Sequence, residues 1–468
     1  MRRRKEIWQN WQGNLKCQAE VCYPENLDDL KAIVKRANME GKTIRMSGGG
    51  RGRTRGSYSV SPIVKNDDGI IVKLENMNKG YAHNDNSGRV TVEAGMKVAQ
   101  LEDLVARNGL SFEAMLVPTF VEVGGAVAVG SHGSGFNQGT LSDHVVSMDI
   151  VLADGSVKTI TESDPELMKA ARVNLGALGI VHTITFQCVK QFKLSSVTET
   201  LDVKTTINNI KDLVEAHDYF EVFWVPFCRD LWVKKSDKVR WETPNRNVPT
   251  RWERFVDWSQ TRLGTVGLEI LNYFPRLTPA QDHLLLRLQK NETVIAPAHY
   301  VFHYQEFFPR KLWDVSYGFD IGKDFSNFKS AWNFVMDLVC DFAQPKGSCT
   351  SAWPFSYSRN GIFPQNFVLH GRFIRNSDAY LAPSVGNSHT CMLQVVTYFG
   401  TDCAQFLADI EKHLLSLGGR PHWGKTFNTE IDFARLYGEN LQKFNAIRRQ
   451  MDPNGMFLND FTRRVFAA

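Results

Sequence analysis

The sequence predicts a mixed helix-and-strand fold in two unlike parts, and three observations carry that prediction. Helical and extended hydrophobic periods alternate over the first 190 residues. After about residue 190 the texture turns to aromatic strands and long irregular stretches. Glycine-rich bends are concentrated in the first part. With 468 residues, 43% apolar and 22% charged, the chain can bury a large core without disulfides or metals, and disorder as the main state is excluded.

Local signals justify each element. Leu27, Leu30, Ile33, Val34 and Ala37 recur at helical spacing and Gly41 is the stop; residues 43–46 then form a strand leading into Ser47 and Gly48. Residues 89–94 alternate like a half-buried strand, and 98–108 make a helix closed by Gly109. Strands at 145–152 and 157–160 are joined by the tight turn Ala153-Asp154-Gly155. Asp164 and Pro165 are the N-cap and first residue of a helix, and 179–186 is a further strand. In the second part, 203–216 is helical and 219–227 is an aromatic strand. Residues 236–260 are an irregular excursion. Residues 325–342 form a helix, 368–374 and 392–399 strands, and 403–417 an amphipathic helix ending at Gly418. The last fifty residues read as loop-rich.

The 55 Lys and Arg exceed the 50 Asp and Glu by a net +5. The N-terminal Met-Arg-Arg-Arg-Lys run reads as a solvated basic end. No basic stripe is interleaved with aromatics, so nucleic-acid binding is not expected. Eight scattered cysteines form no Cys-x-x-Cys pair and no zinc spacing; buried thiols, a reducing cytoplasmic compartment and no metal site are expected. No stretch approaches about 18 uncharged apolar residues, so no transmembrane helix is expected.

Three glycine-rich bends carry the chemistry: Ser47 to Gly52, Val123 to Gly135, and Leu175 to Val181. Glycine lets backbone N–H groups approach an anion, and successive N–H groups form a nest for phosphate oxygens. Neither the Rossmann fingerprint nor a P-loop is present, which disfavours the usual nicotinamide and ATP enzymes. Three such bends point to one large, polyanionic, planar ligand.

These motifs, with Val92-Glu-Ala-Gly95, Gly419-Arg-Pro-His-Trp-Gly-Lys425 and Asp452-Pro-Asn-Gly-Met-Phe-Leu-Asn459 in order, resemble the FAD-dependent aldonolactone oxidases of the vanillyl-alcohol-oxidase type, a family that acts on L-gulono-1,4-lactone or D-arabinono-1,4-lactone. The resemblance implies an α+β fold. A two-subdomain PCMH-type FAD-binding domain (12–190) would be followed by a substrate domain with a large antiparallel sheet and flanking helices (191–418). A C-terminal segment (419–468) would return to the FAD domain. It also implies site roles. Ser47, Gly48, Gly49, Gly50, Arg51 and Gly52, together with Gly124, Gly125, Gly130, Ser131, His132, Gly133, Ser134 and Gly135, would hold the pyrophosphate and flavin edge. Gly179 and Val181 would lie near the adenine–ribose part, and Arg372 and Lys425 near flavin and substrate.

Two departures from the family pattern matter. Family members usually carry a histidine after the first glycine run, joined covalently to the flavin; here that position is Arg51, so non-covalent FAD is expected. Arg51, Arg53 and Arg55 either pair with pyrophosphate or form a solvated basic loop. The family strand Val-Glu-Val-Arg-Phe reads Leu369-His-Gly-Arg-Phe373, so His370 replaces the acid and shares a face with Arg372. His370 is the candidate base for a substrate hydroxyl, against a plain core histidine. Lys425 is placed to stabilise negative charge as hydride leaves for flavin N5. The expectation is an oxidoreductase acting on the CH–OH group of a sugar lactone or polyol, with dioxygen as acceptor and hydrogen peroxide as product. The rivals are a tailoring flavoprotein for a natural-product alcohol or amine, and a flavin-binding protein without catalysis. His132 and His422 read as packing residues and Trp423 as core.

Overall fold

The computed structural model describes residues 2–49, 57–83, 86–249, 253, 270, 273–303, 311–343, 363–398 and 401–467. Near the N-terminus a four-stranded sheet has the spatial order Arg2–Gln9, Lys16–Tyr23, Ile70–Val72, Ile44–Met46, antiparallel in its first pair and parallel in the other two. The helix Leu27–Glu40 packs Leu30, Ile33, Val34 and Ala37 into the core. Asn26 caps its start and Gly41 ends it in the left-handed conformation. A five-stranded antiparallel sheet follows in the order Gly80–Ala82, Arg89–Glu93, Ile180–Gln187, Val145–Val151, Val157–Thr161. The core shared by these sheets also takes in Tyr380, Leu381, Trp423, Phe433, Phe444, Phe457 and Phe461 from the far end of the chain.

Arg45 fastens that far end. Its guanidinium is fully buried and donates to the carbonyls of Ile63 (2.7 Å), Leu175 (2.6 Å), Gly176 (3.1 Å) and Phe457. Burial lowers its pKa to about 10, which leaves it charged at neutral pH. Asp452 accepts from the N–H groups of Met456 and Phe457, and Asn459 Nδ2 donates to the carbonyls of Pro62, Ile63 and Lys65. The C-terminal segment therefore shapes the same loop that Arg45 holds.

The second half is built on an eight-stranded antiparallel sheet. Its order is Glu292–Pro297, Lys193–Asp202, Asp230–Val239, Tyr219–Trp224, Leu369–Arg375, His389–Tyr398, Leu312–Asp320, Arg420–Pro421. Side chains alternate between its faces. One face carries Val222, Val233, Leu369, Phe373, Leu393 and Tyr317, packed under the helices Ser326–Ala343 and Ala404–Ser416 through Phe328, Trp332, Phe406 and Ile410. The other carries Lys234, Glu221, His370, Arg372, Gln394 and Asp314, all buried or nearly so. This polar face is turned to the first half: Ser134 Oγ donates to Phe220 O (2.7 Å), the Tyr219 hydroxyl to Glu113 O (2.6 Å), and Gly135 N–H to Phe373 O (2.9 Å).

Several expectations need correction. Residues 203–216 form two short helices, Val203–Asn208 and Ile210–Glu215, separated at Asn209. The strand Asp230–Val239 runs into the stretch expected to be irregular, because pairing with Lys193–Asp202 and Tyr219–Trp224 overrides its charge-rich sequence. The basic N-terminus is exposed but forms a strand, with the Arg2 guanidinium over the Tyr23 ring. The last fifty residues contain the helices Phe433–Tyr437, Glu439–Met451 and Asp460–Val465. Val123–Ala128, expected as part of a glycine bend, is helical. Asp164 precedes its helix without making a side-chain cap bond. Among the described residues six cysteines are free and buried, but Cys340 is disulfide-bonded, since bridging depends on spatial approach that linear spacing does not reveal. Among the described residues no helix is long and apolar enough to cross a membrane.

Replacing Arg45 by Met leaves four buried carbonyls without their donor. At about 1 kcal/mol or more for each, the melting temperature should fall by about 5 °C or more, read by differential scanning calorimetry. An unchanged midpoint would mean that the clamp contributes nothing.

Candidate functional site

A long cleft runs between the first half and the polar face of the large sheet, enclosing about 1430 Å³ with its open mouth included. One wall comes from the turn after Ile44–Met46 (Ser47, Gly48, Gly49), the helix Val123–Ala128 and its flanks (Phe120, Glu122, Gly124, Gly125, Ser131, His132), and the turn at Asn174, Leu175 and Gly176. The opposite side brings Arg372 from the large sheet and His422, Gly424 and Lys425 from the C-terminal segment. Tyr58 and Phe120 meet edge to face at 5.0 Å on its rim.

Most of the residues singled out from the sequence meet here. Ser47, Gly48, Gly49, Gly124, Gly125, Ser131, His132, Val181, Arg372 and Lys425 line the cleft. Gly50, Arg51 and Gly52 lie outside the described residues, as do Arg53 and Arg55. Gly130, Gly135 and Gly179 do not line it. Each has a positive φ and serves a backbone bend: Gly179 packs against Ile150 and the Val151 carbonyl, and Gly135 against Gln138 and Tyr219. Gly133 and Ser134 border instead a small polar chamber behind Arg372, walled also by Tyr219, Glu221, Lys234 and Ser236. A Cβ on Gly133 would stand 2.3 Å from the Met115 carbonyl, so close packing requires that glycine.

His370 departs most from expectation. It does share the polar face with Arg372, but it does not line the cleft. Its Nε2 pairs with Glu221 Oε2 at 2.9 Å and its ring stacks on Phe223 at 4.0 Å. Burial pushes its pKa down to about 4, so the imidazole is neutral and Nε2–H donates to the carboxylate. Desolvation, the largest single influence, pushes the Glu221 carboxyl up, but the hydrogen bond from His370 and the nearby charges of Lys234 and Arg372 together hold its pKa at about 2. In register Glu221 stands directly opposite Arg372. A carboxylate from the neighbouring strand thus stands beside Arg372.

The imidazoles of His132 and His422 do line the cleft, with ring centroids 5.5 Å apart. His132 Nδ1 donates to Gly133 O (3.0 Å), which leaves Nε2 as an acceptor. His422 Nδ1 accepts from the Gly424 N–H (3.0 Å), which puts its proton on Nε2. Burial and the nearby cations depress both, His422 to about 3, so both are neutral. Trp423 is buried, donating to Leu381 O and stacking on Phe433 and Tyr437. Lys425 Nζ bonds Asp314 Oδ2 and lies 5.9 Å from the Tyr58 ring centre.

Glu221, Asp314, Gln394, Glu122 and Arg45 were not anticipated. Glu221 did leave a trace, as one acid inside the apolar run Phe220-Glu-Val-Phe-Trp224, and Asp314 interrupts Leu312-Trp-Asp-Val-Ser316 in the same way. A lone charge in an apolar strand signals a buried partner.

The profile of the family described as D-arabinono-1,4-lactone oxidase matches residues 184–465, and that of an FAD binding domain matches residues 19–161. The chain is 27% identical over 474 residues to the L-gulonolactone oxidase of Mus musculus, covering 98% of each chain. It is 28% identical over 468 residues to an L-gulono-1,4-lactone dehydrogenase of Mycobacterium tuberculosis, covering 98% of this chain and 99% of the other. Among solved structures it is similar in fold to cholesterol oxidase from Brevibacterium sterolicum, with a TM-score of 0.79 at 16% identity over 99% of this chain and 97% of that one.

Glu122 offers a test of the cleft's electrostatics. Its carboxylate accepts from the Gly49 N–H (2.7 Å), and burial raises its pKa to about 7. A carboxyl harder to ionise when folded destabilises the fold as pH rises from about 4.5 through 7. In the FAD-free protein Glu122→Gln should be neutral at pH 5 and stabilising at pH 8, by up to about 3 kcal/mol, measured by urea unfolding. Equal effects at both pH values would show that Glu122 titrates normally.

Proposed function

The chain belongs to the D-arabinono-1,4-lactone oxidase family and is an FAD-dependent oxidoreductase, and from that premise we propose that it oxidises the CH–OH group of an aldono-1,4-lactone in the cleft described above. The observation that supports this reading is that two cations, Arg372 and Lys425, and the neutral imidazole of His422 face a glycine-rich wall that bears the neutral imidazole of His132 in the opposite tautomer.

The residues present fit a flavin dinucleotide. Gly125 lines the cleft and, its chain neighbours and its own helix backbone aside, no described atom lies within 4 Å of where a Cβ would stand, so the space beside it is open. Arg372 Nε is buried without a partner among the described residues. Bound here, FAD would supply the two-electron acceptor that oxidation of a CH–OH group requires. Ser47, Gly48, Gly49, Gly124, Gly125 and Ser131 would hold it, with Val181 beside its adenosine end. The guanidinium of Arg372 and the ammonium of Lys425 orient lactone oxygens and favour negative charge that grows during hydride transfer. His132 Nε2 accepts a hydrogen bond from the substrate hydroxyl, and His422 Nε2–H donates to a ring or carbonyl oxygen. Glu221 and His370 stand behind Arg372 and keep a compensating negative charge beside it.

Dioxygen serves as the electron acceptor in this reading, and FAD is held without a covalent bond because Arg51 stands where the family usually has its attachment histidine. The divisions 12–190, 191–418 and 419–468 are proposed as its FAD-binding, substrate and returning segments.

Acid precipitation of the purified protein should send the flavin absorbance into the supernatant; colour retained in the pellet would refute non-covalent attachment. L-gulono-1,4-lactone added without air should bleach the flavin, and air should restore it. No bleaching by any aldonolactone would overturn the substrate class. His370→Gln, which can still donate to Glu221, should slow lactone oxidation less than about tenfold, whereas loss of a general base costs about a hundredfold or more.

A further inference from the structure

Arg372 and Lys425 arrive in the cleft from elements far apart in sequence, yet a continuous chain of hydrogen bonds connects them beneath its wall. Arg372 Nη2 donates to Gln394 Oε1 (3.0 Å). Gln394 Nε2 donates to Asp314 Oδ1 (2.8 Å). Lys425 Nζ donates to the other oxygen, Asp314 Oδ2. Asp314 and Gln394 project from the polar face of adjacent strands, Leu312–Asp320 and His389–Tyr398, and Arg372 from the next, Leu369–Arg375. The backbone closes the arrangement: Thr426 N–H donates to Asp314 O (2.8 Å) and His422 N–H to Ser316 O (2.9 Å), so the segment bearing Lys425 is registered on the strand bearing Asp314.

We propose that Gln394 and Asp314 are positioning residues, a neutral amide and one carboxylate that bind Arg372 and Lys425 into a single unit and fix their separation. Neither lines the cleft; each acts through a cation that does. The amide orientation is dictated by its partners: Arg372 has only N–H groups and Asp314 only acceptor oxygens, so Gln394 must turn its oxygen to one and its nitrogen to the other. One carboxylate between two cations also lowers their mutual repulsion, which lets both point at the same ligand. A paired anionic or electron-rich oxygen then meets both charges without either side chain reorganising.

Sulfite is the probe. It is a small dianion that adds to protein-bound flavin and bleaches it, so its affinity reads the cations without any substrate and does not depend on the lactone reading. In the FAD-loaded protein, Gln394→Met removes the bridge at constant charge and should weaken sulfite about tenfold or more. The same change made in an Arg372→Met, Lys425→Met background should alter the affinity less than about twofold, since neither cation joined by the bridge is left to position. Asp314→Asn provides a second variant with an opposite sign for the rival explanation. Loss of negative charge by itself would tighten sulfite, whereas release of the cations loosens it. Weakening in both single variants, absent from the background that lacks Arg372 and Lys425, supports the bridge. Wild-type affinity in Gln394→Met, equal loss in both backgrounds, or tighter sulfite in Asp314→Asn would each overturn it.

Discussion

The alternation of side chains across one antiparallel sheet is the constraint from which the site follows. Along Leu369–Arg375, residues 369, 371 and 373 must face the helices, and 370, 372 and 374 must face the other way. The same parity in the flanking strands places Glu221, Gln394 and Asp314 on the same face as Arg372. A slip of one residue in any of these pairings would drive charges into the aromatic core around Phe328, Trp332 and Phe373 and bring apolar groups to the cleft. The large apolar face thus sets the register, and the register assembles the polar face.

That polar face becomes a site because the first half is pressed against it. The contact is held by bonds to backbone, from Ser134 to Phe220 and from Tyr219 to Glu113, and by a C-terminal segment that serves both halves. The segment supplies His422 and Lys425 to the cleft, Trp423 to the shared core, and Phe457 O to Arg45. Arg45 in turn holds the Leu175–Gly176 turn that forms the cleft's far wall. Buried charge is tolerated there because each group is matched: Arg45 by four carbonyls, Glu221 by His370, Asp314 by Gln394 and Lys425.

Much of this was legible in the sequence where the signal is local. Helix 27–40 with its glycine stop, the strands around 89–93, 145–151 and 369–375, and the glycine runs at 47–49 and 124–125 follow from periodicity and punctuation within a dozen residues. What depends on pairing was not. The charge-rich strand Asp230–Val239 is extended because of its neighbours, and the helices after Phe433 are stabilised by packing on a core contributed from the other end of the chain. The same limit applies to the site. His370 and Arg372 were correctly placed on one face, but which of them reaches the cleft is decided by Glu221, Phe223 and Gln394 on adjacent strands, about 150 residues before and 20 after. Gly130, Gly135 and Gly179, taken as cofactor contacts, do not line the cleft and take a positive φ at backbone bends, a use that composition cannot distinguish from ligand binding.

Hydrogen–deuterium exchange of the FAD-free protein, before and after addition of FAD, tests most directly that the cofactor lies between the glycine-rich wall and the polar face of the sheet. The account predicts slowed exchange in 45–49, 120–132 and 174–181 and, at the same time, in 370–374 and 420–426. Protection confined to the first three segments, with the sheet and the C-terminal segment unaffected, would contradict it.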